Sequence, residues 1–335
     1  MSASFHGSKS SLSPKSSAPS SIGPRVRRKR LGRVSRKSCV RRPRSGPIST
    51  STRLALREVR NDAIREHAEI RFRSSYHYAL FEYYRSAKIL KRLERDGIDV
   101  KGRVLDAGCG SGGIAVSFAE ECDQAIGLDI KNKFGDAGVR FARERKIDNA
   151  HFVQGDGAAL PFTAESFDIV LSHSVIEHVR LPESYLAECH RVLRPDGVLF
   201  LQTPPYLSFA GAHLSRLRIP IPIHLLLPRS WAFRLNFYIA RKRPGWLKEP
   251  RESNTFKLMA ERGETKEDDL IQKVTVSGVH RWLEKVGFDV VMEERHVSGF
   301  FARNLPDFLR SALERNGFTQ NIIISNLELL LRKSS

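Results

Sequence analysis

The sequence predicts an α/β fold built on a parallel sheet with helices on both faces, and three observations carry that expectation. From Arg103 to Pro204, short apolar and β-branched runs alternate with helix-length amphipathic segments. A glycine-rich turn, Gly108 to Gly113, follows the first of those runs and opens the first helix of the series. Carboxylates stand in or at the ends of the first three runs: Asp106, Asp129 and Asp156.

At 335 residues with 41% hydrophobic side chains, the chain is long enough for one large α/β domain with insertions or two modest ones. Its formal net charge of +19 resembles a nucleic-acid signature until it is located along the chain. Fifteen of the 56 Lys and Arg residues lie within residues 1–57, ahead of the first acidic side chain, Glu58. The remaining 41 nearly balance the 37 Asp and Glu residues, so the basicity belongs to a tail. Cys39, Cys109, Cys122 and Cys189 form no CxxC pair, which argues against a disulfide framework or a zinc knot. No run reaches the roughly 18–20 apolar residues needed to span a bilayer.

Taken in order, residues 1–52 are Ser, Pro and Arg with almost no large apolar side chain, and are expected to be a disordered basic tail. That composition suits an organellar targeting peptide, a polybasic arm for nucleic acid or anionic lipid, or a solvated extension. Residues 53–100 place apolar side chains three and four apart, as helices do, and Gly97 follows as a stop signal. The main domain, 101–335, then reads strand RVLDAG, helix GGIAVSFAEEC, strand QAIGLDI, helix FGDAGVRFARERK and strand AHFVQGD. Strand SFDIVLSHS, helix PESYLAECHRVL and strand GVLFLQTP follow. The rhythm breaks over an insertion, 204–274, and resumes with helix SGVHRWLEKVGF, strand DVVMEERHV, helix LPDFLRSALER and strand NIIISNLELLLRK.

Glycines between a strand and a helix let backbone approach a ligand and aim free N–H groups at it. Gly108-x-Gly110-x-x-Gly113 satisfies the dinucleotide fingerprint, with Asp129 about twenty residues on. Asp106, two residues before Gly108, argues against a pyrophosphate, which it would repel, and for a ligand with a cationic amine. Asp156, after the third strand, is placed to accept from an adenine amino group. With the helix, Pro-Asp-Gly turn and strand of CHRVLRPDGVLFLQTP, these features resemble the class I S-adenosylmethionine-dependent methyltransferases of small-molecule type, closely over about 100–203. The resemblance implies a Rossmann-like seven-stranded sheet with helices on both faces and an antiparallel last strand. It also implies S-adenosyl-L-methionine as cofactor. Asp106 and the backbone of Gly108 and Gly110 would face its amino-acid end, Asp129 the ribose hydroxyls, and Asp156 with Gly157 the adenine. Ile130 and Ser172 complete the implied cofactor set.

Candidate catalytic residues follow the fourth strand in SHSVIEHV: His173, Glu177 and His178. A base here helps when the acceptor is a hydroxyl. The stretch is similar to the Glu-His pair of ubiquinone-pathway O-methyltransferases, whose metal-assisted arrangement has a further Glu three positions earlier. Ser174 occupies that position, so no metal site is expected. Residues 205–257 interleave ten Lys and Arg with eight Trp, Tyr and Phe, as an acceptor lid with a peripheral membrane contact or a single-stranded nucleic-acid contact would. His224 with Leu227-Pro228-Arg229 loosely resembles a passage in methyltransferase-domain proteins of glycan and lipid pathways. The function expected is methylation, at oxygen, of a small or lipid-linked acceptor in the cytoplasm or at a membrane surface. The alternative is an RNA- or nucleic-acid-binding protein using the tail, with organellar import the alternative localisation.

Overall fold

The computed structural model describes residues 63–71, 73–209, 211–214, 218, 223–247 and 271–334. The expected tail, 1–52, and part of the insertion lie outside the described residues. One sheet of seven strands organises the rest: β1 (Arg103–Ala107), β2 (Gln124–Asp129), β3 (Ala150–Gln154), β4 (Phe167–His173), β5 (Leu193–Thr203), β6 (Phe288–Val297) and β7 (Ile324–Lys333). They lie in the order β3-β2-β1-β4-β5-β7-β6. β1 to β5 are parallel, and β7 runs antiparallel to both β5 and β6, as the resemblance implied.

Alternation along the strands sorts the core. Val104, Ala125, Ile169, Leu171, Val198 and Phe200 meet Leu90 and Leu93 of α3 (Ala87–Arg95) and Phe118 of α4 (Gly113–Ala119). Leu105, Leu128, Val170, Leu199, Leu201 and Leu329 turn the other way, onto α6 (Pro182–Val192) and α9 (Val276–Val286). Residues 63–70 form α1, and α2 (Ser75–Arg85) lies beside α4 and α5 (Gly138–Arg145) through Tyr83, Val116 and Phe141.

Four local expectations are corrected. The helical run through residues 83–97 is broken at Ser86, whose hydroxyl binds the Tyr83 carbonyl and Ser117, and so splits α2 from α3. α5 begins at Gly138 rather than Phe134, because Phe134 is buried in a stack on Phe152. Ile130 falls outside β2. The last run opens as the short helix α12 (Gln320–Ile323), since the Asn321 side chain binds both Val276 N and the Gly317 carbonyl at 2.8 Å.

The chain steps outward from β1 to β3 and then crosses back to β4, so the β1–β4 crevice is the topological switch point where such sheets bind ligands. The insertion leaves β5 beside this crevice. It contains α7 (Ile223–Leu226) and α8 (Arg229–Lys242), and its base is tied down by Tyr206 N to Val274 O at 2.8 Å. The remaining helices, α10 (Gly299–Asn304) and α11 (Asp307–Arg315), join β6 to α12.

Candidate active site

At the mouth of β1, α2 crosses directly over the start of α4. Gly113 permits this, because a Cβ there would collide with the Ala79 carbonyl. The close approach carries Glu82 to the glycine turn, and nothing in the sequence around Glu82 marked it as a site residue. Glu82 and Asp106 are 7% and 2% exposed, and each keeps one carboxylate oxygen with no hydrogen-bond partner. Burial pushes Glu82 up to about 7 despite Arg85, 3.7 Å away. Burial, followed by the fields of Glu82 and Asp129, raises Asp106 well above the usual carboxylate range. Three carboxylates therefore converge on one turn with less positive charge than they need. Such an arrangement suits a cationic ligand group.

The turn is braced against the neighbouring strand. The Gly108 N–H donates to the Leu128 carbonyl at 2.7 Å, and the Gly110 N–H donates to Asp129 Oδ2 at 2.9 Å. Neither is a free donor, since both close the turn onto β2. Gly110 has φ +54° and open space on its Cβ side, with only Glu82 Oε1 at 4.0 Å, so a ligand can lie against it.

Asp129 uses its other oxygen to accept from Lys131 N at 2.9 Å, which fixes the carboxylate at the rim. Beside it Ile130 is 61% exposed, an unusual state for an isoleucine at the end of a buried strand. Asp156 is exposed and accepts from Ala158 N at 2.9 Å in a turn. Gly157 lies against the Tyr185 ring, where a Cβ would come within 2.9 Å. Tyr185 is fully buried and its hydroxyl donates to the Ala107 carbonyl at 2.7 Å, with Ser172 Oγ at 2.9 Å. Ser172 is thus fully buried among side chains rather than placed at the rim.

The end of β4 collects the expected catalytic residues. His173 Nδ1 lies 3.4 Å from Arg85 Nη2, and burial together with that guanidinium holds the imidazole well below the usual histidine range. Ser174 follows with φ +57°, held by its N–H and hydroxyl to Gln202. Glu177 and His178 lie in the 3-10 turn Ile176–His178. Glu177 is 1% exposed, and Oε2 accepts from the Thr203 hydroxyl at 2.9 Å. Burial pushes its carboxyl up to about 7. His213, from the insertion, stands edge-on to His178 with ring centroids 4.9 Å apart, and burial and then His178 push it down to about 3. No periodic pattern marks His213, which sits on an irregular stretch.

The Leu227-Pro228-Arg229 passage is a packing device. His224 Nε2 lies 2.9 Å from the Ser208 carbonyl, while Arg229 donates to the Ile271 carbonyl at 2.6 Å and lies over the rings of Tyr206 and Phe233. α8 buries Ala232, Phe233, Asn236, Ile239 and Ala240. Its other face exposes Trp231, Arg234, Leu235, Tyr238, Arg241 and Lys242, with no acidic residue anywhere in the helix.

Comparison with known proteins agrees with this geometry. Residues 105–201 match the family described as methyltransferase domain. The chain is 32% identical over 151 residues to an uncharacterised methyltransferase of Bacillus subtilis, covering 42% of this chain and 60% of that protein. It is 35% identical over 147 residues to a fatty-acid O-methyltransferase of Mycolicibacterium smegmatis, covering 43% and 50%. It is 31% identical over 133 residues to a ubiquinone biosynthesis O-methyltransferase of Actinobacillus pleuropneumoniae, covering 36% and 56%. The chain spans about half the length of these curated relatives.

Proposed function

We propose, from the premise that residues 105–201 form a class I S-adenosylmethionine-dependent methyltransferase domain, that the chain methylates an oxygen of a small or lipid-linked acceptor. The observation that carries the cofactor half is the buried Glu82 and Asp106 pair, each with an unpartnered oxygen beside the glycine turn. A sulfonium amino acid brings an ammonium group that would satisfy both, with Arg85 at hand for its carboxylate. Asp129 would take the ribose hydroxyls, and exposed Ile130 would cover the adenosine with Asp156 and Gly157 near the base.

The cofactor supplies an already activated methyl group, so the protein's task is alignment and proton removal. Held by Glu82, Asp106 and Asp129, the cofactor would supply the methyl group and retain the electron pair of the bond that breaks, so the acceptor oxygen would have only its proton to lose. The acceptor proton passes to His173, whose imidazole is unprotonated at neutral pH. Oxygen as the methylated atom is favoured by two relatives whose names specify O-methyltransferases.

A lipid-surface acceptor is favoured by α8. Trp and Tyr among Arg and Lys on a solvent face, without acids, are what an anionic interface attracts. The nucleic-acid alternative rests on residues 1–52, outside the described residues.

Calorimetry of S-adenosylmethionine with the full chain tests the reading, with Asp129→Ala as control. Stoichiometric binding weakened about tenfold to a hundredfold by the substitution is expected. Binding absent, or indifferent to Asp129, overturns it. Sedimentation with phosphatidylglycerol vesicles but not with phosphatidylcholine vesicles, lost in Trp231→Ala/Tyr238→Ala, tests the acceptor surface.

A further inference from the structure

We propose that Glu177, His178 and His213 form a site for one first-row divalent transition metal, with zinc as the reference ion, which joins the lid insertion to the carboxyl end of the sheet. One ligand atom from each residue lies within 4.8 Å of the others. Four-coordinate zinc with bonds of roughly 2.0–2.1 Å places its donors roughly 3.3 Å apart, so closing the set needs side-chain shifts of about an ångström. Two imidazoles and a carboxylate are a common donor set for this class of ion, and three protein ligands leave a coordination position open to an oxygen ligand.

The second, independent observation is the carboxylate. Glu177 is 1% exposed and its Oε1 has no hydrogen-bond partner, while His213 Nε2 stands 3.9 Å from that same oxygen. A buried carboxyl oxygen without a hydrogen-bond partner is costly, and a metal ion would resolve it. Its other oxygen is already fixed by Thr203, as an outer partner orients a metal-binding carboxylate. The backbone is committed as well. His213 holds φ +49°, a left-handed conformation uncommon among non-glycine residues. Gln272 N donates to the Glu177 carbonyl at 2.7 Å, so the returning end of the lid is anchored at the same turn.

This departs from the expectation of no metal. That expectation rested on Ser174 standing where a further Glu was wanted, whereas the third donor here comes from thirty-five positions further along the chain. The inference does not depend on the methyl-transfer reading, and its test reads the metal alone.

The full chain, stripped with a chelator, is titrated with Co²⁺ by visible absorption and with Zn²⁺ by calorimetry. One equivalent is expected, with an intense tetrahedral cobalt spectrum and a rise in melting temperature on adding zinc. His213→Leu and Glu177→Gln should each lower affinity at least tenfold and abolish that rise. His213→Cys, which keeps a donor, should retain stoichiometric zinc, which separates loss of a ligand from loss of fold. His296→Gln, in the other cluster of histidine with carboxylates, should change nothing. No stoichiometric binding by folded chain, or binding that survives His213→Leu, overturns the proposal.

Discussion

Two groups of carboxylates in this molecule meet opposite environments. At the glycine turn, Glu82 and Asp106 are buried with unpartnered oxygens and are driven toward the neutral form. At the β6–β7 edge, Glu294 is paired with Arg92, which also lies 3.6 Å from Glu328, and His296 Nε2 is 3.2 Å from Glu328. There the guanidinium lowers Glu294, and the hydrogen bonds from His280 and Arg295 take Glu293 down to about 2. The carboxylates of the edge are met by basic side chains of their own chain. The glycine turn keeps buried carboxylate oxygens without hydrogen-bond partners, which under the proposed function a cationic ligand group would meet.

The sharpest way to break the comparison is to neutralise the turn. Asp106→Asn should weaken S-adenosylmethionine binding about 100-fold, since a buried ligand ammonium loses its counter-charge, while leaving the ligand-free protein as stable or more so. Calorimetry and thermal melts read the two effects, and a fall in both stability and affinity would return Asp106 to a structural role. At the edge the signs should reverse. Arg92→Met should cost about 2 kcal/mol of stability, below the usual cost for a buried pair because Glu294 is partly exposed, and should leave cofactor affinity unchanged.

Acid and base dependence separates the regions more finely. Glu82 is raised in the folded chain, so the native state binds more protons than the unfolded state between about pH 4.5 and 7. Its contribution to stability therefore falls as pH rises through that window, on the order of 3 kcal/mol in all. Cofactor binding should ionise it and release a proton near neutral pH, which calorimetry in buffers of different ionisation enthalpy detects; Glu82→Gln should abolish the release. Glu293 shows the opposite sign. Lowered to about 2, it adds stability present above about pH 4.5 and lost as pH falls toward 2. Glu293→Gln should flatten the acid limb of the stability profile by less than about 1 kcal/mol, because the group is partly exposed.

What could be read in advance follows from the range of the signals. Strand and helix periods between Arg103 and Thr203 are local, and the parallel order they implied is present. Asp129 and Asp106 could be located because each stands a fixed number of residues from a glycine in the turn. Glu82 could not be found, since its place depends on a helix crossing that Gly113 permits some thirty residues later. Tyr185 is similar: its helical position says only that it is apolar-facing, whereas its hydroxyl reaches Ala107 and Ser172 across the sheet.

By itself the sequence determined the α/β architecture, the glycine turn with its strand-end carboxylates, and the confinement of excess positive charge to residues 1–57, because each is a property of neighbours along the chain. Only the tertiary structure decided which carboxylate oxygens lack a hydrogen-bond partner, and that a histidine of the insertion meets the Glu177–His178 turn. Burial and pairing arise between segments far apart in sequence, and they set the charge of a side chain.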